Sequence, residues 1–190
     1  MVMSLVTFVG PRPNLLDKDN INPPMRLEVT QPILDFVEMS KIREIEKHTG
    51  GKFKSYELDI CYPVAWGSAG IEARLASLCA EAVDALKTGH NILIVSDRKI
   101  DAQNVPIPAL LATSAIHSWL TRKGLRTFCS VNVRSAECID PHYFAVLIGS
   151  GATTVNAYLA QDSIADRIRR GLIEGSLVDA MRRYGYAVDA

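Results

Sequence analysis

Residues 83–98 run Val-Asp-Ala-Leu-Lys-Thr-Gly-His-Asn-Ile-Leu-Ile-Val-Ser-Asp-Arg, and this line constrains the fold more than any other part of the chain. It reads as a helix end, a tight turn, a buried strand and a charged strand terminus in succession. Gly89 stands where a helix needs a left-handed residue to stop. Ile92, Leu93, Ile94 and Val95 are apolar without alternation, which suits a strand covered by helices on both faces and not one with a wet side. Upstream, Ile71, Leu75, Leu78, Ala82 and Leu86 recur at helical spacing, with Glu72, Arg74, Glu81 and Lys87 mostly opposite.

The same alternation continues downstream as a helix over 108–123, a strand over 126–133, a helix over 141–148 and a short strand over 154–156. Strands separated by helices of this length favour right-handed parallel crossovers. The expected fold class is therefore α/β: layered, with a mainly parallel sheet and helices packed on it. Its central strands fall near 92–95 and 126–133, flanked by helices near 71–86 and 108–120. Before this core, residues 1–9 are almost wholly apolar and fit either a strand or a helix end. Pro11, Pro13, Pro23 and Pro24 then make a connecting arm. A short strand is expected over 26–30, a helix from an Asp35 cap through Lys47 stopped by Gly50-Gly51, and an alternating strand over 53–60 ended by Pro63. Ser68 is placed to cap the next helix. We divide the chain into residues 1–160, a central α/β domain with its N-terminal proline-rich arm, and residues 161–190, a helical tail of short charged segments leading toward a following domain. The tail has no capping element, which reads as a segment of a longer polypeptide or as a frayed natural terminus.

Composition removes several function classes. In 190 residues, 21 basic and 21 acidic side chains balance to zero, so no basic face for nucleic acid or acidic lipid is implied. No apolar run approaches the roughly 20 residues of a membrane span, and no signal peptide opens the chain, so it reads as cytoplasmic. Cys61, Cys79, Cys129 and Cys138 form no C-x-x-C pair and read as small buried hydrophobes. The histidines at 48, 90, 117 and 142 lie apart, which gives a metal site little support. Trp66 and Trp119 read as core or interface anchors.

Three places could hold a ligand. Ser96, Asp97 and Arg98 follow a strand's carboxyl end, where ligands of parallel sheets usually bind; alternatively Asp97 turns the chain while Arg98 pairs with a carboxylate. Gly149 and Gly151 in Gly-Ser-Gly-Ala could cradle a phosphate, or could simply stop a helix before the strand at Thr154. The run lacks the third glycine of the dinucleotide fingerprint. His142, after Asp140-Pro141, is a titratable group at a helix start without an evident partner.

Several runs together resemble one family. Residues 105–117, Val-Pro-Ile-Pro-Ala-Leu-Leu-Ala-Thr-Ser-Ala-Ile-His, continue the 83–98 line and are followed by Gly124-Leu125-Arg126-Thr127. Residues 3–17, Met-Ser-Leu-Val-Thr-Phe-Val-Gly-Pro-Arg-Pro-Asn-Leu-Leu-Asp, agree, as do Asn22-Pro23-Pro24-Met25-Arg26-Leu27, Gln31-Pro32-Ile33-Leu34-Asp35 and Cys79-Ala80-Glu81-Ala82. The chain resembles, collinearly from about Met3 to its end, the central domain of the glutamate synthase large subunit. That enzyme makes two glutamates from glutamine and 2-oxoglutarate with reducing equivalents, a step of ammonia assimilation.

The resemblance implies a non-catalytic module between a glutamine amidotransferase domain and an FMN-binding domain of the same polypeptide, helping enclose the passage of ammonia. It implies no catalytic, cofactor or metal residue here. The FMN and the 3Fe–4S cluster of the complete enzyme belong to stretches that the resemblance does not cover, so this chain alone is expected to be inactive. A small subunit and a second copy are further partner candidates. In the family a glycine commonly follows Ser-Asp-Arg, where Lys99-Ile100 stand here, and two adjacent histidines commonly stand where His142-Tyr143 do. The alternative is a free-standing α/β protein that binds a small ligand at Ser96 to Arg98 and Gly149 to Gly151.

Overall fold

The four strands of the main sheet all run parallel, in an order that follows the chain without reversal. The computed structural model describes residues 4–12 and 26–189. A two-stranded antiparallel ribbon pairs β1 (Thr7–Val9) with β2 (Leu27–Val29). So the apolar N-terminal run, open between strand and helix from sequence, contains a strand. The proline arm expected at 11–24 lies, beyond Arg12, outside the described residues.

Next come α1 (Phe36–Arg43) and α2 (Ile45–Thr49). Asp35 starts α1 through a reciprocal capping box, its carboxylate accepting from the Glu38 N–H at 2.7 Å and the Glu38 carboxylate accepting from its own N–H at 3.0 Å. The single helix expected from Asp35 through Lys47 is corrected to two, broken at Glu44 (φ −102°, ψ 9°). Met39, Ile42 and Ile45 are all buried, and residues three apart lag by about 60° per step on a 3.6-residue helix. Breaking the helix keeps all three on the sheet.

β3 (Ser55–Asp59) is the first strand of the main sheet, and β4 (Cys61–Pro63) leaves it. The continuous strand expected over 53–60 is thus cut at Asp59, whose Oδ1 accepts the Cys61 N–H at 3.0 Å and turns the chain. β4 pairs instead with β6 (Asn104–Pro106), a short antiparallel strand not anticipated from sequence. Between them lie α3 (Ala69–Lys87) and β5 (Ile92–Ser96), the latter buried along its whole length. Gly89 turns the chain between them at φ 89°. Ser68 sits before α3 in a helical conformation with no side-chain cap bond, which corrects the capping role expected of it.

α4 (Ala109–Arg122) leads to β7 (Ser130–Arg134). The strand expected from 126 therefore begins later, because Arg126–Phe128 form a 3-10 turn. α5 (Pro141–Gly149), β8 (Thr154–Asn156), α6 (Tyr158–Arg169) and α7 (Leu177–Asp189) complete the chain.

Alternate strand residues divide the core in two. Leu58, Leu93, Val95, Val131, Val133 and Val155 pack under α3, α4 and α5 through Leu78, Ala82, Ala112, Ile116, Leu120, Phe144 and Leu147. On the opposite face Ile92 and Ile94 meet Met39, Ile42, Ile45, Phe53 and Val9. Burying a leucine fully contributes about 1.5–3 kcal/mol, so these two layers hold the sheet between helices. Tyr184 and Val188 of α7 also pack against the first layer.

Beyond Ile94 the second face turns polar and is nonetheless buried. Thr154 Oγ1 donates to Asn132 Oδ1 at 2.7 Å, and Asn132 Nδ2 donates to the Leu93 carbonyl at 3.1 Å. The Leu34 carbonyl accepts from Asn156 Nδ2 and Gln161 Nε2, both at 2.9 Å. The Leu34 N–H donates to the Val155 carbonyl and the Val155 N–H to the Pro32 carbonyl, both at 2.8 Å, along the free edge of β8, so that edge is covered.

Candidate functional site

β5 delivers Ser96, Asp97 and Arg98 to the carboxyl end of the sheet, where register sets Ser96 beside Arg134. Asp97 is fully buried. Its Oδ2 accepts from the Ser135 hydroxyl at 2.7 Å and the Ala136 N–H at 2.9 Å, tying β5 to the turn after β7. Its Oδ1 has no hydrogen-bond partner among the described residues. Arg98 points outward, pairs with Asp162 of α6 at 3.0 Å and lies 4.5 Å over the Tyr158 ring. Lys99, which stands in place of the family's glycine, pairs with Asp59 at 3.6 Å.

Two further arginines converge on the same end, and sequence reasoning missed both. Arg43, at the last turn of α1, meets Glu57 at 3.2 Å; Arg134, ending β7, approaches Glu57 at 3.8 Å and lies 5.7 Å from the Tyr158 ring. Together with Arg98, Tyr158 and Asp162 they line a crevice of about 240 Å³. Burial, then the charge of Arg43, pulls the Arg134 pKa down, and the site is thereby poised to gain from an anion. Burial, followed by the charge of the neighbouring Asp97 carboxylate and a hydrogen bond to it, pushes the Tyr158 hydroxyl up to about 12, so it stays protonated. The missed signal was weak: α1 and β7 meet only through the fold, and isolated arginines usually serve as solvated surface.

Gly149 and Gly151 lie away from this crevice, at the end of α5. The N–H groups of Ser150, Gly151 and Ala152 all donate to carbonyls in the last turn of that helix, so the loop that could have cradled a phosphate has its donors committed. Arg126 braces the loop from the other side. Its Nη2 donates to the Gly151 carbonyl at 2.8 Å, its Nη1 to the Cys129 carbonyl at 2.8 Å, and its Nε to His117 Nδ1 at 3.0 Å.

His117 must leave Nδ1 bare to accept that bond, and burial followed by the Arg126 charge lowers its pKa. A histidine whose folded pKa lies below 6.5 binds fewer protons folded than unfolded; its contribution to stability is complete above 6.5 and is lost as pH falls through the folded value. Urea titrations at pH 7 and pH 5 should therefore show a larger loss for the natural chain than for His117→Gln, which keeps an acceptor but cannot titrate. Equal losses would remove His117 from the acid response.

His142 is exposed on the first turn of α5, away from both clusters. Its neighbour Tyr143, which stands where the family commonly has a second histidine, has an evident structural task. The Tyr143 hydroxyl donates to Glu137, whose Oε2 also accepts the Ala109 N–H at 3.1 Å and so caps α4. Asp140 caps α5 through the Tyr143 N–H at 2.9 Å, with Pro141 in the first turn.

Trp66 is 53% exposed, which corrects its expected place in the core and leaves the interface reading open. The four cysteines are free and buried, Cys61 on β4, Cys79 on α3, and Cys129 and Cys138 in the segments before and after β7. Burial pushes Cys61 and Cys138 up to about 12 and Cys129 up to about 11, so these stay protonated thiols at neutral pH. Among the described residues no group of three or more His, Cys, Asp or Glu side chains is placed to hold a metal ion. Nor is any helix there long and apolar enough to cross a membrane.

A model of the glutamate synthase central domain matches residues 1–190. The chain is 42% identical over 189 residues to the large chain of the NADPH glutamate synthase of Azospirillum brasilense, covering 99% of this chain and 12% of that protein. The corresponding large chain of Bacillus subtilis is 34% identical over 188 residues, again 99% of this chain and 12% of its own. The NADH glutamate synthase of Saccharomyces cerevisiae is 32% identical over 200 residues, 100% of this chain and 9% of its own. The chain thus spans about a tenth of the length of these relatives.

Proposed function

The chain belongs to the glutamate synthase central domain family, and we propose that it works as a non-catalytic middle piece of a cytoplasmic glutamate synthase large chain. In this reading it sits between an amidotransferase domain that releases ammonia from glutamine and an FMN-binding domain that uses it, and helps wall the path between them. FMN and the 3Fe–4S cluster belong to those other stretches, and a small subunit is a further partner. The physical task is positional. Two active sites held in register convert an encounter through bulk water into a local transfer, and rigid geometry is what sustains that gain.

The observation that carries this reading is apolar surface that none of the described residues covers. Around a groove of about 550 Å³ between α1 and α7 stand Phe36, Val37, Val178 and Tyr186, with Leu5 on its rim. All five are exposed, Val178 by 67% and Tyr186 by 68%, and Val6 and Phe8 are exposed on the neighbouring β1 segment. Soluble monomers rarely leave contiguous apolar surface beyond a few hundred Å² without a partner. The partners assigned here are the flanking domains of the same polypeptide.

Light scattering on the 190-residue chain tests the exposure directly. The expected result is self-association at high concentration, weakened by the double variant Val37→Lys, Val178→Glu, which alters only exposed positions. A natural chain that stays monomeric across the concentration range would contradict the docking-face reading.

A further inference from the structure

We propose that the crevice at the carboxyl ends of β5, β7 and β8 binds the oxyanion group of a small ligand, a phosphate or a carboxylate, with Arg134 as its central donor and Arg43 and Arg98 flanking it. This is distinct from the docking role above: the crevice lies over the sheet end and shares only Phe36 with the lining of the α1–α7 groove.

Arg134 motivates the assignment. Its side chain is only 17% exposed, yet its one charged partner is Glu57 at 3.8 Å, beyond hydrogen-bond reach. Its Nε is buried without a hydrogen-bond partner among the described residues. A guanidinium carries five N–H donors in a fixed fork that matches a carboxylate or phosphate, and leaving such donors unmet in a part-buried place is unfavourable. An oxyanion in the crevice would meet the accessible part of this guanidinium, the Nε itself being sealed from solvent. The flanking arginines can turn to it with little loss: Arg98 and Asp162 are 45% and 58% exposed, and an exposed pair of that kind contributes little in water.

The lining charge agrees in sign. Three guanidiniums face one lining carboxylate, Asp162, with Glu57 behind Arg43 and Arg134 and the buried Asp97 carboxylate beside Tyr158. The volume of about 240 Å³ is smaller than the ~300 Å³ where pockets for drug-sized ligands begin, which restricts the occupant to a small molecule or one end of a larger one. The position, beyond the carboxyl ends of parallel strands, is where α/β sheets usually hold ligands.

Calorimetric titration of the chain with sodium phosphate and, separately, with glutarate, each against sodium chloride at equal ionic strength, tests the assignment. The expected result is saturable binding of at least one anion, the tighter arm identifying phosphate or carboxylate. Arg134→Gln should weaken it by about tenfold or more, as loss of a charge-assisted donor does. Arg43→Gln, at a half-exposed position that folding does not depend on, should weaken it too. Arg122→Gln, beside Trp119 on α4, should leave it unchanged. Binding of neither anion above the chloride control, or affinity in the Arg43 and Arg134 variants as high as in the natural chain, overturns the proposal.

Discussion

Gly151→Ala is expected to lower the stability of the chain by about 3 kcal/mol, combining backbone strain with overpacking. Gly151 sits at φ +112°, where side chains other than glycine are strained, and a Cβ there would lie 2.4 Å from Cγ and Nδ1 of the His117 ring. The ring cannot simply move aside, because Nδ1 accepts from Arg126, and Arg126 also holds the Gly151 and Cys129 carbonyls. One methyl group thus disturbs α4, the start of β7 and the α5–β8 turn together. Thermal unfolding should show a fall of about 6–12 °C for a chain of this size. Gly149→Ala is the internal control: it is helical, a Cβ there meets nothing within 4 Å, and the change should be neutral or stabilising by about 0.5 kcal/mol. Similar effects from the two substitutions would mean that the His117–Arg126 brace does not hold the turn.

The contrast between these two glycines also marks how far the residues alone could be read. A G-x-G run admits a phosphate cradle or a helix stop, and only the hydrogen bonds of Ser150, Gly151 and Ala152 back into α5 separate them. Signals that act over a few residues were legible. The unbroken apolar run at Ile92 to Val95 marked a strand buried on both faces, Gly89 marked the turn before it, and Asp35 marked a helix start whose capping box with Glu38 is present.

Features set by distant partners were not legible. The break at Glu44 follows from which residues the sheet buries, and the β4–β6 ribbon joins strands separated by α3 and β5. In β7, Ser130 and Asn132 alternate with valines and are buried, with Asn132 partnered by Ser130, Thr154 and the Leu93 carbonyl, a network that no local pattern announces. The candidate crevice was legible by one residue in three: Arg98 follows a recognisable strand end, whereas Arg43 and Arg134 reach it from α1 and β7, and no local pattern joins them.

The largest functional effect is expected in a complete synthase that carries this domain. If the apolar face around α1 and α7 docks against flanking domains, charges at Val37 and Val178 should loosen the wall between the two active sites while leaving each site's own residues untouched. Both positions are exposed, so the domain itself should fold with a stability change within about 0.5 kcal/mol. Glutamine hydrolysis would continue, but the ammonia released would escape to solvent instead of reaching the second site, and the advantage of confinement would be lost. The deciding measurement is the ratio of glutamine consumed to 2-oxoglutarate converted, with free ammonia assayed in the same reaction, for the natural enzyme and for Val37→Lys, Val178→Glu. The account predicts a tightly coupled ratio and little free ammonia for the natural enzyme, and glutamine consumed in excess with ammonia accumulating for the variant. A variant that keeps full coupling, with both partial activities intact, would contradict the docking role assigned to this face.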